Sequence, residues 1–486
     1  MWLPALVFLA AGAMAADPTG CSSCTGVPVA SAEFDARTFG AVGDGKTIDT
    51  GAIQKAIGAA FAAGGGLVVL QGGQFLTGRI SLQSRVYLDV RPDAVLKGSW
   101  DPADYPVKSN EWVVVSAVGA TSTGIVGGGV LDGQALPGFL LSYVRSEDQL
   151  QPVRWTEPSF NCTGECRPRL VEFEQCDDVL VRDVTLQNSA DWTSRYFNST
   201  NVLVHNITVH GDLRWPNNDG IDPDSSENVT ISNSTVHTGD DGVCLKSTCG
   251  ARPLRNVLVQ GMEIRSRSAA VKLGSSTCAD MADILVREVR VLAGSNRGIG
   301  VQHRDAGNIT NLEFRDIVVE GTELQPSKWW GIGEALWVTS IPREEGRPVG
   351  RIDGVRFVRV TSAGAVNGAL FSSRTATPLA GLRLVNVSLT LVGPARPRMG
   401  VAYSQIARDY RPEPSGVPGV VPWVPPGAYL EHATGAVFDG VTLTSRSDLP
   451  RLPGAPAPAF GPCINGTTDS LQSLERHRVV CSVQVQ

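Results

Sequence analysis

A short strand-like motif recurs along the chain at an almost constant interval. It consists of Asn, Asp or Gly followed mainly by branched apolar residues. Six copies start 23, 27, 28, 27 and 28 residues apart, at Asp178, Asn201, Asn228, Asn256, Asp283 and Asn311. The motif returns at Gly354, Gly381 and Gly435, at spacings of 27 and 54. A fixed period of this length predicts stacked equivalent units instead of separate globular domains.

The residues within each repeat indicate the kind of stack. Each repeat holds several short runs rich in Val, Ile, Leu and Thr, separated by Gly, Asn, Asp or Ser, and no run has a sustained helical period. Leucine-rich repeats share the period but need a Leu-x-x-Leu-x-Leu frame, which is absent. The sequence therefore predicts an all-β protein, a single right-handed parallel β-helix (solenoid), in which rungs lie about 4.8 Å apart and residues one period apart become neighbours.

The two ends of the chain differ in composition from the repeat. Residues 3–16 form an apolar run ending in Ala13-Met14-Ala15, which is typical of a cleaved signal peptide. No later apolar run reaches the roughly 18 residues that span a bilayer, so we expect a secreted, extracellular protein. A small helix predicted at 50–63 would cap the open end of the coil.

The predicted organisation follows from these boundaries. It comprises a signal peptide at 1–15, an N-terminal segment at 16–35, a β-helix catalytic domain at 36–448 and a Pro-rich C-terminal tail at 449–486 containing Cys463 and Cys481. The net charge of -6 gives no basic excess, so neither nucleic acid nor a membrane surface is an expected partner. We expect a monomer.

Ten cysteines and eight Asn-x-Ser/Thr sequons agree with a secreted glycoprotein. We expect disulfides, because the spacings lack the second ligand pair of a zinc site. Four cysteine pairs lie close in sequence, with the pairing itself left open: Cys21/Cys24, Cys162/Cys166, Cys244/Cys249 and Cys463/Cys481, with Cys176 and Cys278 left over. The sequons are at Asn161, Asn198, Asn206, Asn228, Asn233, Asn308, Asn386 and Asn465.

Two neighbouring repeats carry an unusual concentration of aspartate, at 217–224 (NNDGIDPD) and 239–246 (GDDGVCLK). Asp219 and Asp241 are 22 residues apart, one short rung, so their carboxylates are predicted to share a column, with Asp240 beside them. Carboxylates this close repel one another, and such clusters usually persist where a reaction or a cation requires them. They could act as acid and base on a glycosidic bond, hold Ca²⁺ for a lyase, or be ordinary Asp-Gly turns at coil corners.

These residues resemble glycoside hydrolase family 28, the polygalacturonases and related pectin hydrolases. That family has an Asn-x-Asp-Gly segment followed one short rung later by Asp-Asp, and Asp240 follows Asp219 by 21 positions here. The resemblance also covers 39–47 (FGAVGDGKT) and 52–57 (AIQKAI), and it extends over roughly residues 36–400.

The resemblance implies a mechanism of single displacement with inversion. In it, Asp240 protonates the leaving oxygen, and Asp219 and Asp241 activate the attacking water. A carboxyl group flanked by two carboxylates has a raised pKa, which keeps its proton available for donation. The implied substrate is an acidic, pectin-like polysaccharide, and neither a metal nor a cofactor is implied.

The chain departs from the family in the next two rungs. Ala269 stands where the family has the histidine of Gly-His-Gly. Gly300 and Gln302 stand where the family has the Arg and Lys that bind the uronate carboxylate. These replacements argue against plain polygalacturonate as the preferred substrate.

Other cations lie in the same columns. The chain has seven lysines against 35 arginines, and Lys246 and Lys272 fall on consecutive rungs beside the aspartates. We predict that Lys272 and Arg297, together with Arg304, bind substrate in place of the missing family pair. The alternative is that they only neutralise nearby aspartates.

The predicted function is thus inverting hydrolysis of pectic polysaccharides. The alternatives are a β-helix lyase that uses Ca²⁺ and a non-catalytic cell-wall carbohydrate-binding protein. Asn311 and Gly354 are 43 residues apart, so an extra loop interrupts the repeat; its Trp329 and Trp330 could stack on sugar rings or pack as a plug. Glycines near the cluster are predicted to leave room for a sugar, at Gly220, Gly242, Gly298 and Gly300.

Overall fold

The computed structural model describes residues 32–105, 112–142, 151–152, 167–323, 331, 333–344, 346–392, 428–445 and 466–467. Several sequence predictions fall outside these residues. They concern the signal peptide at 1–15, Cys21, Cys24, Asn161, Cys162, Cys166, Trp329, Trp330, Cys463, Asn465 and Cys481.

The repeat folds into a right-handed parallel β-helix, so the predicted fold is confirmed. In the described residues the coil has a 25-stranded sheet, whose longer strands turn a corner, and an 11-stranded sheet. The 25-stranded sheet contains β1 (Glu33–Asp35), β2 (Asp44–Ile48), β3 (Gly66–Leu70), β4 (Gly73–Thr77), β6 (Val86–Val90), β7 (Ala94–Gly98), β9 (Thr121–Val126), β10 (Val130–Asp132), β14 (Asp177–Arg182), β15 (Thr185–Gln187), β17 (Thr200–His205), β18 (Thr208–His210), β20 (Glu227–Ser232), β21 (Thr235–Thr238), β23 (Leu254–Ser266), β25 (Met281–Val291), β27 (Ile309–Val319), β29 (Ile352–Ala365), β31 (Leu379–Ala380), β32 (Arg383–Val385), β33 (Ser388–Leu391), β35 (Ala433–Thr434), β36 (Val437–Asp439), β37 (Thr442–Ser445) and β38 (Gly466–Thr467). The 11-stranded sheet contains β5 (Ile80–Leu82), β8 (Val113–Val118), β13 (Arg169–Glu174), β16 (Ser194–Phe197), β19 (Ile221–Asp224), β22 (Val243–Ser247), β24 (Ala269–Thr277), β26 (Arg297–His303), β28 (Glu334–Ser340), β30 (Asn367–Ser373) and β34 (Ala428–Glu431).

Each copy of the repeat motif begins with a residue in the left-handed conformation. Its φ lies between 51° and 82° at Asp178, Asn201, Asn228, Asn256, Asp283, Asn311, Gly354, Gly381 and Gly435. Asn, Asp and Gly are the residues that tolerate this conformation, which explains why they open the motif. The Asn side chains also bond between rungs: Asn256 Nδ2 donates to Asn228 Oδ1 at 2.7 Å, and Asn228 Nδ2 donates to Asn201 Oδ1 at 3.1 Å.

The apolar residue after each turn enters the core. Strand register stacks these side chains directly, and each is at most 2% exposed: Val179, Val202, Val229, Val257, Ile284, Leu312 and Val355. Burial of one such side chain stabilises the fold by about 1.5–3 kcal/mol. The period therefore builds one continuous core along the coil.

The N-terminal end of the coil is covered by a helix. Helix α1 (Thr50–Ala62) lies where a helix was predicted at 50–63, and it buries Ile53, Ala56, Ile57 and Ala60. The remaining helical segments in the described chain are short: α2 (Ala135–Phe139) and two 3₁₀ turns, Ala36–Phe39 and Pro102–Asp104. None of the helices described here is long and apolar enough to cross a bilayer.

The chain also forms strands outside the predicted β-helix boundaries. Strand β1 begins at Glu33, ahead of position 36, and pairs in parallel with β3. Strand β38 lies in the predicted tail and pairs antiparallel with β36. A separate two-stranded sheet consists of β11 (Leu140–Ser142) and β12 (Gln151–Pro152).

The structure supplies one disulfide pairing that the sequence left open. Cys249 bonds Cys278, with Cα atoms 4.8 Å apart, and Cys244 and Cys176 are free and buried. Cys244 lies within the extended strand β22, and Cys249 lies in the turn beyond the end of that strand at Ser247, which separates the two along the chain. The next rung supplies the partner, because Ser247 is in register with Thr277.

Candidate active site

The predicted column of site residues lies at the start of successive strands in the 11-stranded sheet. Ile221 is in register with Val243, which brings Asp219 and Asp241 onto neighbouring rungs. Ala269 and Arg297 follow in the same column and are themselves in register. Asp240 precedes Asp241 in the turn between β21 and β22.

The three carboxylates form one cluster. One oxygen each from Asp219, Asp240 and Asp241 can be chosen so that all three lie within 4.8 Å of one another. Asp219 is 4% exposed and Asp241 is 1% exposed, whereas Asp240 is only partly buried. Asp240 is therefore the carboxyl group most open to a substrate.

Backbone and amide contacts fix the turn that carries Asp240. Asn218 Oδ1 accepts hydrogen bonds from the backbone N–H groups of Gly239 and Asp240, at 2.8 and 3.0 Å. The Asp240 carboxyl oxygens accept from the backbone N–H groups of Asn217 at 3.2 Å and Asp241 at 3.0 Å. Asn218 thus ties the turns of two rungs together and positions the carboxyl group.

The surroundings of Asp240 favour its protonated form. Burial, followed by the negative charges of Asp219 and Asp241, raises the pKa of Asp240 to about 7. Lys272 opposes this effect but does not cancel it. Asp240 therefore carries a proton at mildly acidic pH, as a general acid requires.

The surroundings of Asp241 favour its ionised form. Although burial opposes its ionisation, the ammonium groups of Lys272 and Lys246 and a hydrogen bond from Ser268 Oγ at 2.8 Å lower the pKa of Asp241. Lys272 forms an ion pair with Asp241, which raises the pKa of the lysine despite its burial. Asp240 and Asp241 are adjacent in sequence, but their environments push their pKa values apart.

Asp222 and Lys246 extend the cluster further along strands β19 and β22. Lys246 Nζ bridges Asp219 Oδ2 at 3.0 Å and Asp222 Oδ1 at 2.5 Å. Burial, and to a lesser degree Asp219, raises the pKa of Asp222 well above its usual range even though Lys246 opposes this. The sequence prediction did not assign a role to Asp222. The available signal was a second aspartate three residues beyond Asp219, with Lys246 one rung on.

Trp192 is a second residue that the sequence reasoning missed. It lies one rung before Asp219 and is partly exposed. Three cations lie over its ring: Lys246, Arg169 and Arg195, at 4.5, 4.9 and 5.5 Å from the centroid. The signal was a Trp exactly one period, 27 residues, before Asp219.

The predicted binding cations occupy different environments. Lys272 lies in the cluster, in register with Gly300. Arg297 is 2% exposed, pairs with Glu334 at 3.1 Å and lies 4.7 Å from the Trp337 ring centroid. Arg304 follows the other end of β26 and donates to the Arg343 carbonyl at 3.2 Å. Lys272 thus lies beside the aspartates and Arg297 forms an ion pair with Glu334. Arg304 lies at the other end of its strand, away from the aspartates.

The prediction that the glycines leave room for a sugar is wrong. A Cβ at Gly220 would overlap the Gly242 carbonyl oxygen, and a Cβ at Gly298 would overlap the carbonyl oxygen of Ala335. Gly300 packs in the same way under the backbone and ring of Trp337. A Cβ at Gly242 would overlap the carbonyl oxygen of Ala270. These glycines permit close approach of neighbouring rungs, which also explains why no Arg fits at position 300.

The cluster offers two sets of groups close enough to ligate a cation: Asp219 with Asp240 and Asp241, and Asp219 with Asp222 and Cys244. Lys246 and Lys272 already contact members of both sets, so a divalent cation would face two ammonium groups. Burial raises the pKa of the Cys244 thiol well above its usual range, which makes it a poor ligand. The donor set fits acid/base chemistry better than it fits a metal.

A parallel β-helix that places carboxyl groups with raised and lowered pKa values side by side has the acid/base pair that a glycoside hydrolase requires. The sequence profile of Glycosyl hydrolases family 28 matches residues 67–326, just over half of the chain. The chain belongs to this family.

Individual relatives agree with this assignment. The chain is 26% identical to "Probable polygalacturonase" of Vitis vinifera over 389 residues, which cover 74% of each chain. It is 28% identical to "Exo-poly-alpha-D-galacturonosidase" of Dickeya chrysanthemi over 59% of this chain and 55% of that protein. Among solved structures, an exopolygalacturonase from Thermotoga maritima superposes with a TM-score of 0.65 at 22% identity, covering 85% of this chain and 91% of that chain; it is similar in fold.

Proposed function

We propose that the protein hydrolyses glycosidic bonds of pectic, galacturonan-type polysaccharides, with Asp240 as the general acid. The observation that carries this proposal is the cluster of Asp219, Asp240 and Asp241, whose oxygens lie within 4.8 Å of one another; the same surroundings raise the pKa of Asp240 to about 7. The pectic substrate is inferred from the family and from relatives whose names state that activity.

Asp241 and Asp219 serve as the base that activates water. Asp241 is kept ionised by Lys272, and Asp219 contacts Lys246 at 3.0 Å. Both carboxylates lie next to Asp240, so a water bound between them would be close to the bond that Asp240 protonates. The two lysines offset part of the charge of the cluster.

Inversion of the anomeric carbon is the second element of the proposal, and it rests on the family resemblance. The cluster oxygens lie within 4.8 Å of one another, whereas most inverting pairs are about 6.5–9.5 Å apart and retaining pairs about 5–5.5 Å. Because these oxygens lie closer together than in most inverting enzymes, the anomeric configuration of the product is a direct test of the proposed inversion. We expect NMR of the first product to show the inverted anomer, and a retained anomer would contradict the mechanism.

The preferred polymer is expected to differ from plain polygalacturonate. Gly300 and Gln302 supply no cation at the family positions, and Trp337 fills the space above Gly300. Of the three predicted binding cations, we keep Lys272, which reaches the cluster. Arg297 would contact substrate only if its ion pair with Glu334 opened, and the contacts of Arg304 do not favour a binding role.

Secretion is also proposed. Its support is the N-terminal apolar run and the Cys249–Cys278 disulfide, since disulfides persist in oxidising compartments.

A panel of pectic polymers tests the function. Homogalacturonan, rhamnogalacturonan and substituted galacturonans are incubated with the protein, and reducing ends, product sizes and ultraviolet absorbance are measured. We expect reducing ends without the absorbance of an unsaturated sugar, and no loss of activity in EDTA. An unsaturated product with EDTA sensitivity would identify a lyase, and binding without cleavage of any polymer would identify a non-catalytic protein.

A further inference from the structure

A cavity lies on the side of the coil that carries the aspartate cluster. It has a volume of about 490 Å³ and is lined by residues that include Lys46, Ile48, Lys97, Trp100 and Gln134. Cavities of roughly 300–1,000 Å³ are the usual size of small-ligand sites. None of its lining residues belongs to the aspartate cluster.

Strand register fixes where this cavity lies. Ile48, Leu76 and Lys97 stack on three consecutive rungs, and the same column continues through Asp132, Gln187, His210 and His237. Trp100 is three residues beyond Lys97, just as Asp240 is three residues beyond His237. The cavity and Asp240 therefore occupy the same turn of the coil, four rungs or about 19 Å apart.

Trp100 gives the cavity an apolar surface. Its side chain is 48% exposed, and Ile48 beside it is 42% exposed. Gly138 packs against the Cβ end of the indole, and the rest of the side chain is open to the cavity. An exposed indole next to polar groups has the shape and chemistry to stack on the apolar face of a sugar.

Two lysines and two aspartates line the cavity. Lys46 and Lys97 are two of only seven lysines in the chain, and neither has a carboxylate partner in the part of the chain that the structure describes. The acidic lining residues have local contacts instead: Asp101 Oδ1 accepts the backbone N–H of Ala103 at 2.9 Å, and Asp104 Oδ2 accepts Ser99 Oγ at 2.5 Å. The ammonium groups are thus available to an anion.

We propose that this cavity binds a uronate unit of an acidic polysaccharide, with Trp100 stacked on the sugar ring and Lys46 and Lys97 at its carboxylate. The inference rests on the proposed function, because that function supplies the acidic chain. A chain bound at both places would span four rungs of the coil, or about 19 Å. The cavity is then a second anchoring point for long substrates.

The test measures binding of galacturonate oligomers of increasing length by calorimetry, in an Asp240→Asn background so that the oligomers stay intact. We expect affinity to rise once the oligomer spans the roughly 19 Å between the two sites. Trp100→Ala should remove that gain, which we expect to be about 3- to 10-fold. The double variant Lys46→Ala with Lys97→Ala should remove the gain in affinity for charged oligomers and leave it in place for uncharged ones. Trp100→Phe should retain most of the gain.

Matched controls are Phe61→Ala, an exposed aromatic residue on α1, and Lys55→Ala on the same helix. A length-dependent gain that survives Trp100→Ala would overturn the inference, and so would a gain with charged oligomers that is unchanged in the lysine variant. Failure of the proposed function appears differently, as wild-type protein that cleaves no pectic polymer. Trp100-dependent binding of oligomers would remain measurable in that case.

Discussion

At the scale of single residues, the chemistry depends on the different surroundings of two adjacent aspartates, Asp240 and Asp241. Asp240 is partly exposed and has a pKa of about 7, while Asp241 is buried against Lys272 and has a lowered pKa. The sequence predicted that these side chains meet, because their spacing equals one rung. It did not predict that the contacts of Asn218 and Ser268 would fix their orientation.

Asp240→Asn removes the proton donor and leaves the turn contacts largely in place. We expect kcat on the preferred pectic polymer to fall about 10²- to 10⁴-fold, the usual contribution of a general acid, with little change in KM. Initial rates of reducing-end release measure this. Asp93→Asn, on an exposed turn, is the control and should keep wild-type rates. Activity that survives in Asp240→Asn would exclude Asp240 as the acid.

The pH dependence follows from the same two groups. Because Asp240 must be protonated, activity should be present below pH 7 and be lost as pH rises through about 7, the pKa of Asp240. Lys272 lowers the pKa of both Asp240 and Asp241, so Lys272→Ala should shift both limbs of the kcat/KM profile to higher pH, by about one unit or more. Lys55→Ala should leave the profile unchanged. A lower rate with an unmoved profile would mean that Lys272 only binds substrate.

At the scale of elements, the turn that opens each repeat determines much of the composition. The left-handed conformation at this turn position favours Asn, and the strand that follows the turn is rich in Thr. Asn228 in this turn, and Asn206, Asn233 and Asn386 in other turns of the coil, have this conformation and are also sequon positions. The fold itself therefore generates sequons, which weakens them as evidence for glycosylation.

Asn256 tests the contribution of this turn to stability. Its φ is 53°, and its Nδ2 donates to Asn228 Oδ1 at 2.7 Å. Asn256→Ala loses the hydrogen bond and strains the backbone, so we expect the free energy of unfolding to fall by roughly 1.5–3 kcal/mol. Asn256→Gly loses only the bond and should cost about 0.5–1.5 kcal/mol. Urea denaturation measures both, and equal losses would show that left-handed strain is unimportant there.

At the scale of the whole molecule, a solenoid has an open end that must be covered. Helix α1 provides this cover at the N-terminus through Ile53 and Ile57, both fully buried. Removing the cover exposes the first rung of a continuous apolar core, and exposed strand edges and cores promote association.

The double variant Ile53→Asp with Ile57→Asp should therefore aggregate or unfold, whereas the wild-type protein should scatter light as a monomer. Size-exclusion chromatography with light scattering, together with thermal unfolding, measures this. Phe61→Ala, on the exposed side of the same helix at 42% exposure, should behave like wild type. A double variant that remains monomeric with an unchanged Tm would show that α1 is not needed to close the coil.

The sequence by itself determined the coil, its capping helix and the aspartate column. All three follow from the repeat period or local pattern, because in a β-helix the period sets which residues stack. The tertiary structure decided the partners: Cys249 bonds Cys278, Arg297 pairs with Glu334 across a 37-residue separation, and Gly300 packs under Trp337. These contacts join rungs of unequal length, and they depend on side-chain volume and charge brought together in space. The period fixes the column, and the packing between rungs fixes what each side chain in it contacts.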